Sequence, residues 1–170
     1  MKTKEVLDKY KKIIAGILKC QAEEIKFYNL KTVNQDSDNE KQEFIEIGEL
    51  YYFKEEWQEE SNWELGDYQV CFGSSIISTF KLYQLPHCCA YMVSCNVSVR
   101  ELYRNMRIGT ILNQLRQDIG RLLGYSSIIC TDIEQNVNQR KLLKTNGWKD
   151  VHNVVNKRTN NRVYLSIINI

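Results

Sequence analysis

The second half of the chain carries five hydrophobic segments whose period switches in a fixed order, and that order constrains the fold more than any other feature. "CCAYMVSCNVSV", residues 88–99, is a run of β-type residues. "IGTILNQLRQDIGRLLG" places Ile111, Leu112, Leu115, Ile119, Leu122 and Leu123 on one helical face and stops at Gly124, where a glycine suits a helix end. "YSSIICT" reads as a buried strand, and "NVNQRKLLKTNG" as a short helix with Asn136 as N-cap and Asn146–Gly147 as its stop. "WKDVHNVVN", the turn "KRTNN" and "RVYLSIINI" close as a hairpin. Strand, helix, strand, helix and hairpin define an α/β (α+β) chain.

The first half is less regular. Val6, Leu7, Tyr10, Ile13, Ile14, Ile17 and Leu18 recur at helical spacing with lysines between them, which predicts an amphipathic helix over about Lys4 to Gln21. "TVNQDSDNEKQ", Thr32 to Gln42, is rich in turn formers and reads as a loop joining that helix to the rest. Glu40 to Glu64 fits a helix through Phe44, Ile47, Leu50 and Tyr51 but also alternates locally like a strand, so its type stays open. "DYQVCF" and "SIISTFKLYQL" read as strands, and the single proline, Pro86, separates them from the second half. With no internal repeat, low-complexity tract or clear linker, residues 1–170 are expected to form one domain.

Composition adds direction. Residues 1–86 hold 11 lysines and 16 acidic side chains, whereas residues 87–170 hold 12 basic and five acidic ones, so the halves carry net charges of −5 and +7. All eight arginines lie in the second half, and their forked donors suit phosphate oxygens, so an anionic ligand is sought there. The lysine-rich start lacks a following signal-peptide core, and no window approaches the roughly 18 apolar residues of a membrane span, which makes a soluble cytoplasmic protein the expectation. The six cysteines form no C-x-x-C pair, and most sit in apolar runs as reduced core thiols. His87, Cys88, Cys89 and Cys95 do not make a metal site, since adjacent cysteines on a strand point to opposite faces and no second ligand pair appears.

The most informative stretch is "YRNMRIGTIL", Tyr103 to Leu112. A strand that leads through a short loop into a helix aims the helix's free N–H groups and positive dipole end at whatever lies beyond the strand. That arrangement binds phosphates. The loop has one glycine, Gly109, but the donors are main-chain amides, and no proline between Arg104 and Thr110 removes any of them.

Arg104-Asn105-Met106-Arg107-Ile108-Gly109-Thr110 resembles the Q/R-x-x-G-x-G/A pyrophosphate loop of the GNAT-type N-acetyltransferase superfamily, with Val97 and Val99 at the preceding strand end. A second likeness is sharper: Asn136 opens a helix eleven residues before the Gly147-Trp148 pair, the interval that the superfamily keeps between its helix-opening Asn and a Gly-aromatic pair. The resemblance spans about residues 88–170. It implies a mixed, mostly antiparallel twisted sheet flanked by helices, with splayed central strands and here an extra N-terminal helix. It also implies a cofactor-binding half at 88–170 and a divergent acceptor-side half at 1–87. Acetyl-CoA would lie in the splay, its thioester carbonyl and pantetheine on main-chain groups around Val97, Ser98 and Val99. Its pyrophosphate would sit on the amides of Arg104, Asn105, Met106, Arg107, Ile108, Gly109 and Thr110, with Asn136 near the pantetheine end.

Three positions depart from the superfamily's pattern. Arg107 replaces the first loop glycine, and it either adds a guanidinium to the phosphates or marks a loop that no longer wraps them. Leu143 stands where a general-acid tyrosine is common, and the strand 88–99 has no carboxylate to deprotonate an amine. Cys95, Asn138, Asp132 and Tyr164 are the remaining candidates. Cys95 reads more simply as core, Asp132 as a turn or cap residue, and Tyr164 as strand packing, so no catalytic acid or base is assigned. Glu55, Glu56, Glu59, Glu60 and Glu64, with Trp57 and Trp63 between them, read as a solvated charged face before a rim for a cationic amine. The function expected is acetyl transfer to a primary amine. The alternatives are an inactive binding module of the same fold, associated with nucleic acid through the arginine-bearing half, or modification of a nucleobase.

Overall fold

A computed structural model describes residues 3–35, 39–46, 64–85 and 88–170. Helix α1 (Thr3–Leu18) is followed by strands β1 (Ile25–Gln35), β2 (Asn39–Glu46), β3 (Glu64–Phe72), β4 (Ser75–Leu85) and β5 (Cys88–Val99). Then come α2 (Ile108–Leu122), β6 (Ser127–Ile133), α3 (Val137–Thr145), β7 (Lys149–Val155) and β8 (Arg162–Asn169). The eight strands form one sheet in the order β2-β1-β3-β4-β5-β6-β8-β7. Every neighbouring pair is antiparallel except β5 and β6, which are joined through α2.

In β4 Phe80 and Leu82 alternate with half-buried neighbours, and Ile77, at a register shift against β3, is buried as well; all three join Phe27, Val70, Met92 and Ile128 from the other strands. Helices α1 and α2 cover them with Val6, Leu7, Tyr10 and Ile14 from one and Ile108, Leu112, Leu115 and Ile119 from the other. Each such side chain contributes about 1.5–3 kcal/mol of burial free energy, so this layer holds the fold. Helix α2 lies close on the sheet because Gly120 has no side chain: a Cβ there would run into Ile170 Cδ1 and reach Met92 Cε at 3.2 Å. A polar clasp joins the helices, in which Asp118 of α2 accepts from Lys9 Nζ at 2.7 Å and from the Tyr10 hydroxyl at 2.8 Å. Arg121 Nη1 donates to its other oxygen at 2.8 Å. Burial pushes the Asp118 carboxyl up, but the hydrogen bonds from Lys9 and Tyr10 and the charges of Lys9 and Arg121 outweigh it and hold the group below the usual carboxylate range.

The expected order of the second half matches the structure element by element, and α2 and α3 are followed by Gly124 and Gly147 at φ +82° and +86°. Two expectations in the first half are corrected. The predicted N-terminal helix stops at Leu18, since Lys19 turns left-handed at φ 56° and the Cys20 amide returns to the Ala15 carbonyl at 3.0 Å. Residues 32–35 and 39–42 are not loop: β1 continues to Gln35 and pairs with β2 from Gln35↔Asn39 to Tyr28↔Glu46, and residues 36–38 lie outside the described residues. Cross-strand pairing overrides the local turn preference of these polar residues. It also makes the start of the open segment a strand, whereas residues 47–63, including Glu55, Trp57 and Trp63, lie outside the described residues.

The cysteines form no disulfide among the described residues, but their burial is uneven. Cys71 and Cys130 are buried, Cys20, Cys88 and Cys95 are half-buried, and Cys89 is exposed. The expectation of core thiols therefore holds in full for only two of the six.

Candidate functional site

Strands β5 and β6 pair over only three rungs, Tyr91↔Ser127, Met92↔Ile128 and Val93↔Ile129. Beyond them β6 stays with β8, while β5 follows β4 through a register shift near Asn96, which sits at φ 51°. A bulge of this kind bends its strand, and here it opens the sheet. The result is a cleft of about 420 Å³ whose walls include Ser94, Val97, Arg116, Thr131, Asp132 and Asn136.

The β5 wall offers main-chain groups. The Arg100 amide donates to Ile77 O of β4 at 2.8 Å, so by strand alternation Val99 turns its N–H and C=O the other way, toward the splay. The Val99 carbonyl there accepts from Arg104 Nε at 3.2 Å. Val97 shares that parity, and Ser98, paired with Thr79, faces β4.

The strand ends in a single 3-10 turn, Glu101–Tyr103, followed by the glycine-poor loop. Asn105 and Arg107 both adopt left-handed backbone, at φ 62° and 64°. Arg107 thus takes up, as an arginine, the conformation that a glycine would adopt without strain. Its side chain is exposed and caps nothing. The Ile111 amide donates to Arg107 O at 3.1 Å, so the amides of Ile108, Gly109 and Thr110 precede the first helical bond of α2. No acidic residue lies in that first turn, which leaves the dipole end unopposed for an anion. Gly109 has a separate reason to be small: a Cβ there would come within 2.9 Å of Leu142 Cδ1 on α3.

Asn136 borders the cleft as the N-cap of α3, its Oδ1 accepting from the Gln139 amide at 3.3 Å. Seven residues on, Leu143 is buried in the core, so this position presents no hydroxyl. Trp148 is buried as well, and its Nε1 donates to Asn113 Oδ1 at 2.8 Å.

Two charged side chains sit where sequence reasoning did not put them. Asp132 does not start a turn or cap a helix. It lies within β6 at 7% exposure on the cleft wall, and its Oδ2 has no hydrogen-bond partner among the described residues. Burial raises its carboxyl above the usual range, against the opposing pull of the Ile133 amide, the Arg140 charge and the Asn136 side chain. Arg116, which sequence reasoning missed, is 1% exposed on α2 and also lines the cleft. Its Nη1 donates to Ser94 Oγ at 2.6 Å, Nε to Leu112 O at 3.2 Å and Nη2 to Asn113 Oδ1 at 3.4 Å. The signal was in the sequence, because Arg116 stands four residues after Leu112 on the apolar face of α2. Burial brings the guanidinium down to about 10, with Cys130 opposing the shift. Burial likewise pushes the Cys130 thiol up to about 12, so it stays protonated.

The other candidates separate. Cys95 borders the cleft, and Asn138 is exposed on α3. Tyr164 donates to Glu134 Oε1 at 3.3 Å with its ring 3.3 Å from the Arg140 guanidinium carbon, which is a packing role.

No protein-family model matches this chain, and no curated protein matches it. Solved structures do. An acetyltransferase of the GNAT family from Streptococcus pneumoniae superposes with a TM-score of 0.55 at 14% identity, over 65% of this chain and 68% of that one. A GNAT family acetyltransferase from Elizabethkingia anophelis, solved with acetyl-CoA bound, gives 0.52 at 15% over 62% and 76%. The ribosomal-protein-S18-alanine N-acetyltransferase from Escherichia coli gives 0.52 at 11% over 65% and 72%. The chain has the fold of these GNAT acetyltransferases at low sequence identity.

Proposed function

We propose that the protein is an N-acetyltransferase, one domain over residues 1–170, that binds acetyl-CoA in the cleft between β5 and β6 and transfers its acetyl group to a primary amine. The observation that carries this reading is the parting of β5 from β6 beside the free amides at the start of α2. The acetyl-CoA bound to the Elizabethkingia anophelis structure of the same fold supports the choice of donor. The amides from Asn105 to Thr110 hold the pyrophosphate, while that of Arg104 already donates to Glu101 O at 3.1 Å, and the main chain of Val97 and Val99 holds the pantetheine arm. Asn136 borders its far end.

For transfer, the acceptor ammonium loses a proton, the neutral amine attacks the thioester carbonyl, the attacking nitrogen gives its second proton to solvent, and the leaving thiolate takes one up as the C–S bond breaks. Asp132, with an unpartnered oxygen on the cleft wall and a carboxyl of raised proton affinity, suits the first task. Leu143 offers no proton for the last, so the thiolate is protonated through solvent.

The test is thermal unfolding with acetyl-CoA. At a hundredfold excess over Kd a ligand adds about 2.7 kcal/mol, which in a chain of this size raises Tm by roughly 5–10 °C. An unchanged Tm at millimolar acetyl-CoA overturns the reading. The buried Leu143 favours a second one, a binding module without transferase activity. Salt-dependent retention on DNA with no CoA binding selects that one, and transfer to a free base in a mass-spectrometric acceptor screen selects nucleobase modification.

A further inference from the structure

The floor of the cleft carries a charge that the transfer of an acetyl group does not need. Arg116 is buried to the same degree as the core leucines around it, yet no carboxylate pairs with it among the described residues. Its hydrogen-bond partners are a hydroxyl, a backbone carbonyl and an amide oxygen, all neutral. Three of its five N–H groups are used, the one to Asn113 at a long 3.4 Å. Asn113 beside it has a buried Nδ2 with no partner among the described residues. Buried charges in proteins are paired because desolvation is costly, so a lone guanidinium bordering a cleft with spare donors is an incomplete ion pair.

Its position says what completes it. Ser94, which takes the 2.6 Å bond from Nη1, is the first β5 residue past the last rung, Val93↔Ile129, and Cys130 is its counterpart on β6. The guanidinium therefore lies at the closed end of the splay. Asp132 is two residues further along β6, about 7 Å at the usual rise, toward the open end. The cleft is positive where it closes and negative toward its mouth. A CoA thioester with its pyrophosphate at the start of α2 and its arm along Val97 and Val99 directs its acyl group to the closed end. An acetyl methyl there leaves the guanidinium unanswered.

We propose that the cleft takes CoA thioesters whose acyl group ends in a carboxylate, of the succinyl type, and binds them more tightly than acetyl-CoA, with Arg116 as the residue that selects them. This rests on the cofactor reading above. The chemistry is unchanged: the amine N–C bond forms, the C–S bond breaks, the thiolate is protonated, and the distal carboxylate keeps its charge throughout.

The experiment is calorimetric titration of the full chain with CoA, acetyl-CoA, butyryl-CoA and succinyl-CoA. Butyryl-CoA matches the succinyl chain in length without the charge. Succinyl-CoA is expected to bind at least tenfold more tightly than butyryl-CoA, and the gap closes in Arg116→Met. Ser94→Ala, a milder change that releases one guanidinium bond, narrows the gap and serves if the methionine variant does not fold. Equal affinities of succinyl- and butyryl-CoA for the wild-type protein overturn this proposal and leave the cofactor reading standing. Absence of binding by all four overturns both.

Discussion

Arg107 allows the backbone of the loop before α2 to be separated from its charge. It holds φ 64° in a region where a side chain costs about 1–2 kcal/mol relative to glycine. Glycine loses more chain entropy on folding, by about 0.4–1 kcal/mol against alanine. The difference leaves Arg107→Gly more stable than Arg107→Ala by about 0.5–1 kcal/mol, and because the side chain is exposed, little packing confuses the comparison. Urea unfolding with equal m-values reads this directly. An alanine variant as stable as the glycine variant would refute the argument, because it would mean that this residue is not left-handed in solution. The same pair tests the ligand. If only main-chain amides hold the pyrophosphate, Arg107→Gly keeps its affinity for CoA. If the guanidinium also reaches it, affinity falls about tenfold, and Arg107→Glu falls further.

Two further outcomes follow from the carboxyl groups, which are shifted in opposite directions. Asp118 titrates below its ordinary value, so its stabilisation is complete above the usual carboxylate range and is lost as pH falls through the lowered folded value; Asp118→Asn should cost about 1–2 kcal/mol at neutral pH and little in strong acid, measured by urea unfolding across pH. Asp132 titrates above its ordinary value, so the native state loses stability as pH rises from the usual range through the raised one. Asp132→Asn should therefore be at least as stable as the wild type at neutral pH while its transfer rate falls by about a hundredfold or more, read as thiol release from acetyl-CoA with a small amine acceptor; wild-type rates from this variant remove Asp132 from the mechanism.

The second half of the fold was legible because each of its segments agrees with itself. Period and stop residue indicate the same element in α2, Ile108–Leu122, which ends two residues before Gly124, and cap and stop residue do so in α3, Val137–Thr145, which follows the Asn136 cap and ends two residues before Gly147. The first half lacked that agreement. Thr32 to Gln42 carries the composition of a turn, yet most of it lies in two paired strands, and only the β1–β2 ladder decides the matter. A hairpin whose polar residues are held by their partners has no signal in either strand alone.

The site divides along the same line, between main-chain and side-chain chemistry. The free amides before α2 were legible because a strand, a short proline-free loop and a helix in that order leave the first N–H groups of the helix without helical partners, and amides do not depend on the residue that bears them. Arg107 illustrates the point: the motif's glycine is gone, and its backbone conformation remains. The two charged groups of the cleft followed the opposite course. Asp132 and Arg116 owe their surroundings to the place where β5 leaves β6, and that place depends on a bulge near Asn96 that no pattern in residues 88–99 announces. Once the strands part, a carboxylate that would otherwise sit in a sheet core faces a cavity, and a helix arginine that would otherwise disrupt the core gains an opening. The bulge therefore does more than open the sheet. It decides which residues of an apolar strand and an apolar helix face become polar walls, and it leaves the Asp132 Oδ2 and the Arg116 guanidinium on that cleft without a charged partner among the described residues.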